Sequence, residues 1–189
     1  MEIDDLQHAP DEALMRAYSQ GNAEAFLCLY KRYESCLYAF FQRRLPPSKK
    51  DLKTDLFQKT WLKIHSSRAR FDPTKKFSVW FYTIALNALR DQLDLAYQDN
   101  ESHPFDDSQI FGHQQGDESK VHLHLDLKRV EKALELLPLN QREALVLSEW
   151  EGMTGKEISE ILKVSEESVR QLIHRAKSKL RTHFGGENS

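Results

Sequence analysis

The feature that most constrains the fold lies near the C-terminus, where two short amphipathic segments are separated by only Lys163 and Val164. The first segment opens with Thr154 and Glu157, the spacing of a capping box, in which each side chain satisfies a backbone amide at the start of a helix. The second segment opens with Ser165, a favoured N-cap residue. The pattern therefore predicts a helix-turn-helix, a motif whose second helix fits the major groove of DNA.

The second of these helices is predicted to have two contrasting faces. Its inner face carries aliphatic residues, namely Val169, Leu172, Ile173, Ala176 and Leu180. Its outer face carries hydrogen-bond donors, namely Ser168, Arg170, Gln171, His174 and Arg175. Most helical hairpins do not bind DNA, but an outer face of this composition favours contact with nucleic acid.

Charge is distributed in three blocks along a chain whose formal net charge is only −2. Residues 40–76 contain eleven basic and three acidic side chains, and residues 165–184 contain five basic and two acidic ones. Between them, residues 96–119 contain six acidic side chains and no Lys or Arg. Each block alone is compatible with a solvated surface, but the alternation favours two nucleic-acid-facing modules joined by an acidic linker.

The N-terminal half predicts a small helical bundle, because its apolar residues recur at helical spacing and no segment sustains the alternation of a β-strand. Ser48 is expected to cap one of these helices, and Trp61 and Leu62 are expected to face the core. The predicted fold class is all-α, with two small helical domains and a flexible acidic linker. The predicted boundaries are 1–95 for the first domain, 96–125 for the linker, 126–184 for the second domain and 185–189 for a tail.

Two groups of motifs resemble the sigma-70 family of bacterial RNA polymerase sigma factors. In the C-terminal part, LLPLNQREAL (136–145), EGMTGKEISEIL (151–162), VSEESVR (164–170) and HRA (174–176) are similar to region 4. In the N-terminal part, DLFQKTWLK (55–63) resembles region 2.2, and FDP (71–73), Phe77, WFYTIA (80–85) and Asn87 resemble regions 2.3 and 2.4. The two groups follow the family's order, over residues 11–95 and 126–184. Nothing resembles region 1.1 or region 3, and this is the layout of the extracytoplasmic-function (ECF) group.

The resemblance implies an alternative sigma factor, an initiation subunit rather than an enzyme. Its implied partners are core RNA polymerase, promoter DNA and an anti-sigma factor, and it implies no cofactor. The expected location is the cytoplasm, because the sequence shows neither a secretory signal nor an apolar run long enough to span a membrane. The acidic linker would thread toward the active-site cleft of the polymerase, although a plain disordered tether would have the same composition.

Region 2.2 is implied to dock on a coiled coil of the large polymerase subunit through Asp55, Gln58 and Lys59. These three residues share or border one helix face, because Gln58 and Lys59 follow Asp55 by three and four positions. An ordinary solvated helix face is the alternative interpretation. The family usually carries an acid where Lys59 stands, so this chain departs from the family pattern at that contact.

Capture of the melted minus-ten element is implied for the loop from Phe71 to Phe77 and for the helix that follows it. The candidate contacts are Lys75, Lys76, Asn87 and Arg90. Trp80 is expected to lie in the core rather than to stack on a base, because aromatic residues at helical spacing are usually buried. The family tends to carry basic residues at three positions that here are Leu86, Asp94 and Leu95.

Region 4 is implied to read the minus-thirty-five element in duplex DNA. Arg170 and Arg175 have the chemistry for bidentate contacts to guanine or for phosphate, Gln171 for adenine, and Glu167 for cytosine. Lys177 lies further along the helix and is expected to contact phosphate or nothing. The candidate set is Glu167, Ser168, Arg170, Gln171, His174, Arg175 and Lys177.

Several other functions are disfavoured. No nucleotide-binding glycine loop, nucleophile elbow or zinc-protease motif is present. A metal site is not expected, because the histidines in and beside the linker lack Cys partners at ligand spacing. Two alternatives stay open, a sigma-like decoy that binds an anti-sigma factor without promoter activity and a plain helix-turn-helix repressor. The repressor would leave the motifs of the N-terminal half unexplained.

Overall fold

The structure is a computed structural model, and it describes residues 3–45, 48–98, 129–130 and 132–185. Every regular element within those ranges is helical, which confirms the predicted all-α class. The named helices are α1 (Ile3–His8), α2 (Asp11–Ser19), α3 (Ala23–Gln42), α4 (Lys50–Ser67), α5 (Phe77–Gln98), α6 (Leu139–Glu149), α7 (Gly155–Leu162) and α8 (Glu166–Gly185). A short 3-10 turn, Arg68–Arg70, follows α4. The chain forms two compact units, the first containing α1 to α5 and the second containing α6 to α8.

The core of the first unit is built from aromatic rings contributed by several helices. The indole of Trp61 on α4 lies 5.7 Å from the ring of Phe26, 5.0 Å from Tyr30 and 5.6 Å from Phe81, measured between ring centroids. The ring of Tyr33 on α3 lies 4.6 Å from Phe81 on α5. Such tilted and edge-to-face pairs add roughly 0.5–1.5 kcal/mol each beyond the burial of apolar area. Aromatic contacts therefore join α3, α4 and α5 into one body.

Two predictions about α4 are wrong. Ser48 does not cap it, because the helix begins at Lys50 after Lys49, whose side chain makes no capping hydrogen bond. Leu62 does not face the core, because 67% of it is exposed while Trp61 is 6% exposed. Successive side chains on a helix diverge by about 100°, and this rotation places Leu62 on the solvent-facing side of α4 while Trp61 faces the core.

The second unit has a smaller, aliphatic core. Its central cluster is Leu134, Leu137, Leu145, Val146 and Ala176, with Val130, Ile173 and Leu180 packed against it. Arg142 is buried beside this cluster and donates to the backbone carbonyls of Glu135 and Leu137, at 3.1 and 3.2 Å. A buried guanidinium needs such acceptors, because an unpaired charge in an apolar core is very costly.

The predicted linker, 96–125, falls mostly outside the described residues. Only 96–98 are described, as the end of α5. The histidines considered for a metal site are likewise outside. In the described ranges no group of three His, Cys, Asp or Glu residues is arranged to hold a metal ion, and none of the described helices combines the length and apolarity that crossing a bilayer requires.

Candidate nucleic-acid interface

Local hydrogen bonds fix the start of α7 and the turn between α7 and α8. Thr154 and Glu157 form the predicted capping box, with the amide of Glu157 donating to Thr154 Oγ1 at 3.3 Å and the amide of Thr154 donating to Glu157 Oε2 at 2.8 Å. Lys163 then adopts a left-handed conformation (φ 57°) that ends α7. Ser165 Oγ accepts from the amide of Ser168 at 3.1 Å, as predicted for an N-cap. The direction of α8 is therefore fixed by a few consecutive residues.

The predicted polar face of α8 is exposed and continuous. Val169 and Ala176 on the opposite face are fully buried, and Ile158 and Ile161 of α7 are buried as well. Five side chains line one shallow concave patch on the outer face: Glu167, Arg170, Gln171, His174 and Arg175. The structure thus brings together five of the seven residues predicted to contact the minus-thirty-five element.

Glu167 organises one end of this patch. Its Oε2 accepts a hydrogen bond from Nε of Arg170 at 3.1 Å and a second from Nη2 of the same residue, and its Oε1 lies 3.5 Å from Nε2 of Gln171. The bonds from Arg170 lower the pKa of the Glu167 carboxyl. Ser168 lies apart from the patch, because it is half-buried and its hydroxyl is 2.9 Å from that of Ser165 in the turn.

Lys177, the seventh residue of the set, forms an ion pair within the second unit. Its Nζ lies 2.8 Å from Oε1 of Glu149 at the end of α6. This hydrogen bond lowers the pKa of the Glu149 carboxyl. Both side chains are about half exposed, so the pair ties α8 to α6 at the surface.

The polar stripe of α4 lies on the first unit. Asp55, Gln58 and Lys59 are all exposed, as a docking face requires. Lys59 Nζ lies 2.7 Å from Oδ2 of Asp55 and donates to Oε1 of Gln92 on α5 at 3.1 Å. Exposed Leu62 follows Asp55 by seven positions and so lies on the same face. The spacing from Asp55 indicates this exposed position, whereas the apolar side chain alone favours the core.

The loop between the 3-10 turn and α5 is internally bonded and basic. Oδ1 of Asp72 accepts from the amide and the hydroxyl of Thr74, at 3.0 and 2.8 Å. These bonds lower the pKa of the Asp72 carboxyl. Lys75 and Lys76 follow directly and both are exposed. The loop therefore has a defined local shape and presents two ammonium groups.

On α5, the remaining predicted residues differ in exposure. Asn87 is exposed and Arg90 is half-buried. Trp80 is half-buried and packs on Phe71, with ring centroids 5.3 Å apart, so its placement in the core was partly correct. Leu86 is only 1% exposed, so its departure from the basic pattern has a packing reason. The side chains of the other two departures, Asp94 and Leu95, lie outside the described residues.

In comparisons with known proteins, both halves of the chain match regions of one protein family. Residues 29–95 match the family Sigma-70 region 2, and residues 127–180 match Sigma-70, region 4. The RNA polymerase sigma factor CarQ of Myxococcus xanthus is 32% identical over 171 residues, which cover 90% of this chain and 95% of CarQ. The RNA polymerase sigma factor NccH of Alcaligenes xylosoxydans is 29% identical, over 90% of this chain and 92% of NccH.

Solved structures agree with the sequence relatives. The structure of CnrH in complex with the cytosolic domain of CnrY superposes with a TM-score of 0.70 at 25% identity, covering 93% of this chain and 97% of CnrH. The sigma factor RpoE of Bartonella quintana, in complex with the anti-sigma factor NepR, superposes with a TM-score of 0.65 at 25% identity, over 83% of this chain and 94% of RpoE. ECF sigma-E factors are also among the relatives, at 27% identity for that of Haemophilus influenzae. The chain belongs to the sigma-70 family of RNA polymerase sigma factors, in its ECF group.

Proposed function

We propose that this sigma factor binds core RNA polymerase and directs promoter recognition, melting and initiation without being an enzyme itself. The first domain, residues 1–95, would bind the core enzyme and the minus-ten element. The second domain, residues 126–184, would bind the minus-thirty-five element. The observation that carries the proposal is the exposed donor face of α8, held on a capped helix-turn-helix in a chain of this family. Because core polymerase is cytoplasmic, the proposed place of action is the cytoplasm.

The second unit is proposed to enter the major groove with the N-terminal half of α8. Arg170 and Arg175 would contact guanine or phosphate and Gln171 would contact adenine. Glu167 accepts hydrogen bonds from Arg170 in the structure, so we assign it to orienting that guanidinium as well as to a cytosine contact. To contact a phosphate, Lys177 would have to release Glu149. This release costs little free energy, because exposed ion pairs contribute little to stability.

The exposed stripe of α4 is proposed to dock on the polymerase. Asp55, Gln58 and Lys59 supply polar contacts, and Leu62 supplies an apolar one in the same stripe. A helix face that combines one exposed apolar side chain with polar neighbours suits a coiled coil, whose own surface has the same mixture. Lys59 stands where the family usually carries an acid, and its hydrogen bond to Gln92 also joins α4 to α5.

The loop and α5 are proposed to hold the melted minus-ten strand. Lys75 and Lys76 would neutralise its backbone, with Asn87 and Arg90 further along α5. Capturing an unstacked base costs a few kcal/mol, so a loop whose shape is already fixed by Asp72 and Thr74 is suited to the task. The acidic residues 96–125 are proposed to connect the two domains.

An anti-sigma factor is the proposed regulator, because CnrH and the RpoE of Bartonella quintana were both solved with partners, and the partner of RpoE is named an anti-sigma factor. The decoy alternative shares this partner but lacks promoter activity. The exposed donor face of α8 argues against it, since a decoy has no use for base-reading side chains.

Run-off transcription tests the proposal with purified chain, core polymerase and a library of promoter fragments from the source genome. We expect transcripts that need both proteins and whose upstream sequences share two elements. If the chain co-elutes with core enzyme but none of the fragments is transcribed, the promoter-directing role is contradicted for all the fragments sampled. Promoter binding without co-elution would favour a plain repressor. An absence of both would favour the decoy.

A further inference from the structure

The first turn of α2 carries two acidic residues with different partners. Asp11 faces α3, where Oδ1 accepts from Arg32 and Oδ2 accepts from the hydroxyl of Tyr33, both at 2.6 Å. Glu12 faces α5, and its Oε1 accepts from the backbone amide of Phe77 at 2.9 Å. Adjacent acids thus connect α2 to two different helices.

The amide of Phe77 is the first of α5. The first four amides of a helix have no acceptor within the helix, and a carboxylate beside them also meets the positive end of the helix dipole. Glu12 supplies both the acceptor and the charge, from a residue 65 positions earlier in the chain. It therefore caps α5 through the tertiary structure, at the first amide of the helix, whereas a local N-cap side chain accepts from the second or third.

The same contact fixes the C-terminal end of the basic loop. Phe77 is fully buried and its ring packs on Phe71, which begins the loop, with centroids 6.0 Å apart. Pro73 lines a cleft together with α2 residues, including Glu12 and Arg16. The loop that carries Lys75 and Lys76 therefore rests on α2 and ends at a bond that α2 supplies.

We propose that Glu12 is a positioning residue for promoter melting, because its carboxylate sets where the loop ends and α5 begins. The inference rests on the proposed role of that loop at the minus-ten element. Glu12 is not expected to contact DNA, because its Oε1 is occupied by the Phe77 amide. It acts by holding Lys75 and Lys76 in the place where they meet the separated strand.

Three variants of the full chain test the inference with core polymerase. Glu12→Ala removes the acceptor, Glu12→Gln keeps an oxygen acceptor without the charge, and Asp11→Ala is the matched control from the same helical turn. The readout is permanganate reactivity of unpaired thymines around the minus-ten element, at a temperature where circular dichroism shows all variants folded. We expect open complex to fall about five- to tenfold for Glu12→Ala, the size expected from losing a charged cap, and to fall less than twofold for Glu12→Gln and Asp11→Ala.

A second readout keeps the inference separate from the proposed function. Hydrogen–deuterium exchange of the peptide spanning residues 71–80 should be faster in Glu12→Ala alone, with or without polymerase. Unchanged exchange there would overturn the inference, as would an equal loss of open complex in Asp11→Ala or an equal loss of core binding in Glu12→Ala. If wild-type chain opens no promoter while the exchange result holds, the proposed function fails and the capping role of Glu12 stands.

Discussion

The contacts that stabilise the two units of this chain span different distances in sequence. In the first unit, rings and carboxylates from separate helices meet, as when Phe81 of α5 packs on Tyr33 of α3 or Glu12 caps α5. In the second unit, the hydrogen bonds that begin α7 and α8 join residues three positions apart, as between Thr154 and Glu157 or between Ser165 and Ser168. The first unit is thus stabilised mainly by packing between distant parts of its sequence. The second unit is stabilised by short-range hydrogen bonds together with a small aliphatic core.

This difference suits the two proposed tasks. A surface that melts DNA has to keep a loop and a helix in fixed positions while bases are unstacked. A unit whose many packing contacts break only cooperatively is suited to this. A helix that reads duplex DNA needs only a fixed direction and an exposed face. The comparison predicts that damage to the core of one unit leaves the other folded.

Removing one central ring should have the largest effect. Phe81 is fully buried and touches Trp61 and Tyr33, so Phe81→Ala should cost the first unit about 3–5 kcal/mol. Urea titration followed by hydrogen exchange, resolved by peptide, should show α3 to α5 unfolding early while α6 to α8 keep their midpoint. Leu145→Ala is the matched change in the second core and should reverse the pattern, at about 2–5 kcal/mol. A single shared midpoint in both variants would contradict independent units.

A change on the outer face of α8 should alter recognition without altering stability. Arg170 is exposed and paired only at the surface with Glu167, so Arg170→Ala should leave the unfolding midpoint of the second unit within about 0.5 kcal/mol. Loss of a bidentate base contact should weaken promoter binding by about 1–3 kcal/mol. Competition against single-base promoter variants should show the loss at one or two positions.

Lys177→Ala is the control for Arg170→Ala, because Lys177 lies further along α8 and is paired with Glu149. Its removal should lower affinity by a similar small factor on every promoter variant, as expected for a phosphate contact. An identical loss on every variant for Arg170→Ala would refute the assignment of Arg170 to base reading.

Removal of the cap on α7 should have a moderate effect confined to the second unit. Thr154→Ala deletes the oxygen that accepts from Glu157, and losing such a cap costs about 1 kcal/mol. The matched control is Ser159→Ala, since that hydroxyl donates to the carbonyl of Lys156 within the same helix. Urea midpoints of the second unit should separate the two, with the first unit unchanged in both. Equal midpoints would mean that the start of α7 is held by the core of the second unit rather than by its cap.

The sequence predicted the second unit better than the first, and the physical reason is the range of the interactions. The capping box, the turn at Lys163 and the Ser165 cap each depend on neighbours within a few positions, so their signals are complete in the sequence. Predictions for the first unit did less well. The prediction of Leu62 in the core was wrong although its spacing from Asp55 indicates the polar stripe, and the tertiary cap from Glu12 had no sequence signal, because Phe77 is 65 positions away.

The candidate site shows the same division. The shared patch of Arg170, Gln171 and Arg175 follows from helical spacing alone, and the structure places them together. The engagement of Lys177 with Glu149 does not follow from spacing, because it joins α8 to α6 across the unit. Sequence reasoning therefore identifies which side chains share a face, and the fold decides which of them are already occupied.

The ion pair between Lys177 and Glu149 should give the smallest effect, and its pH dependence has a definite sign. Lys177 lowers the pKa of the Glu149 carboxyl in the folded state, so the stabilisation is present above the ordinary value of 4.5 and is lost as pH falls through the lowered folded value. Because both side chains are about half exposed, solvent reduces the contribution to a few tenths of a kcal/mol.

Urea midpoints of the second unit in wild type and Lys177→Gln measure this contribution. The two should differ slightly at pH 7, differ less in 0.5 M salt because exposed charges are screened, and converge as pH falls through the lowered pKa of the Glu149 carboxyl. A difference that persists after this carboxyl is protonated would show that Lys177 stabilises α8 through its aliphatic stem. The attachment of α8 to α6 at this point would then be apolar like the cluster around Ala176, whereas α5 in the first unit is held by aromatic rings together with polar contacts from Glu12 and Lys59.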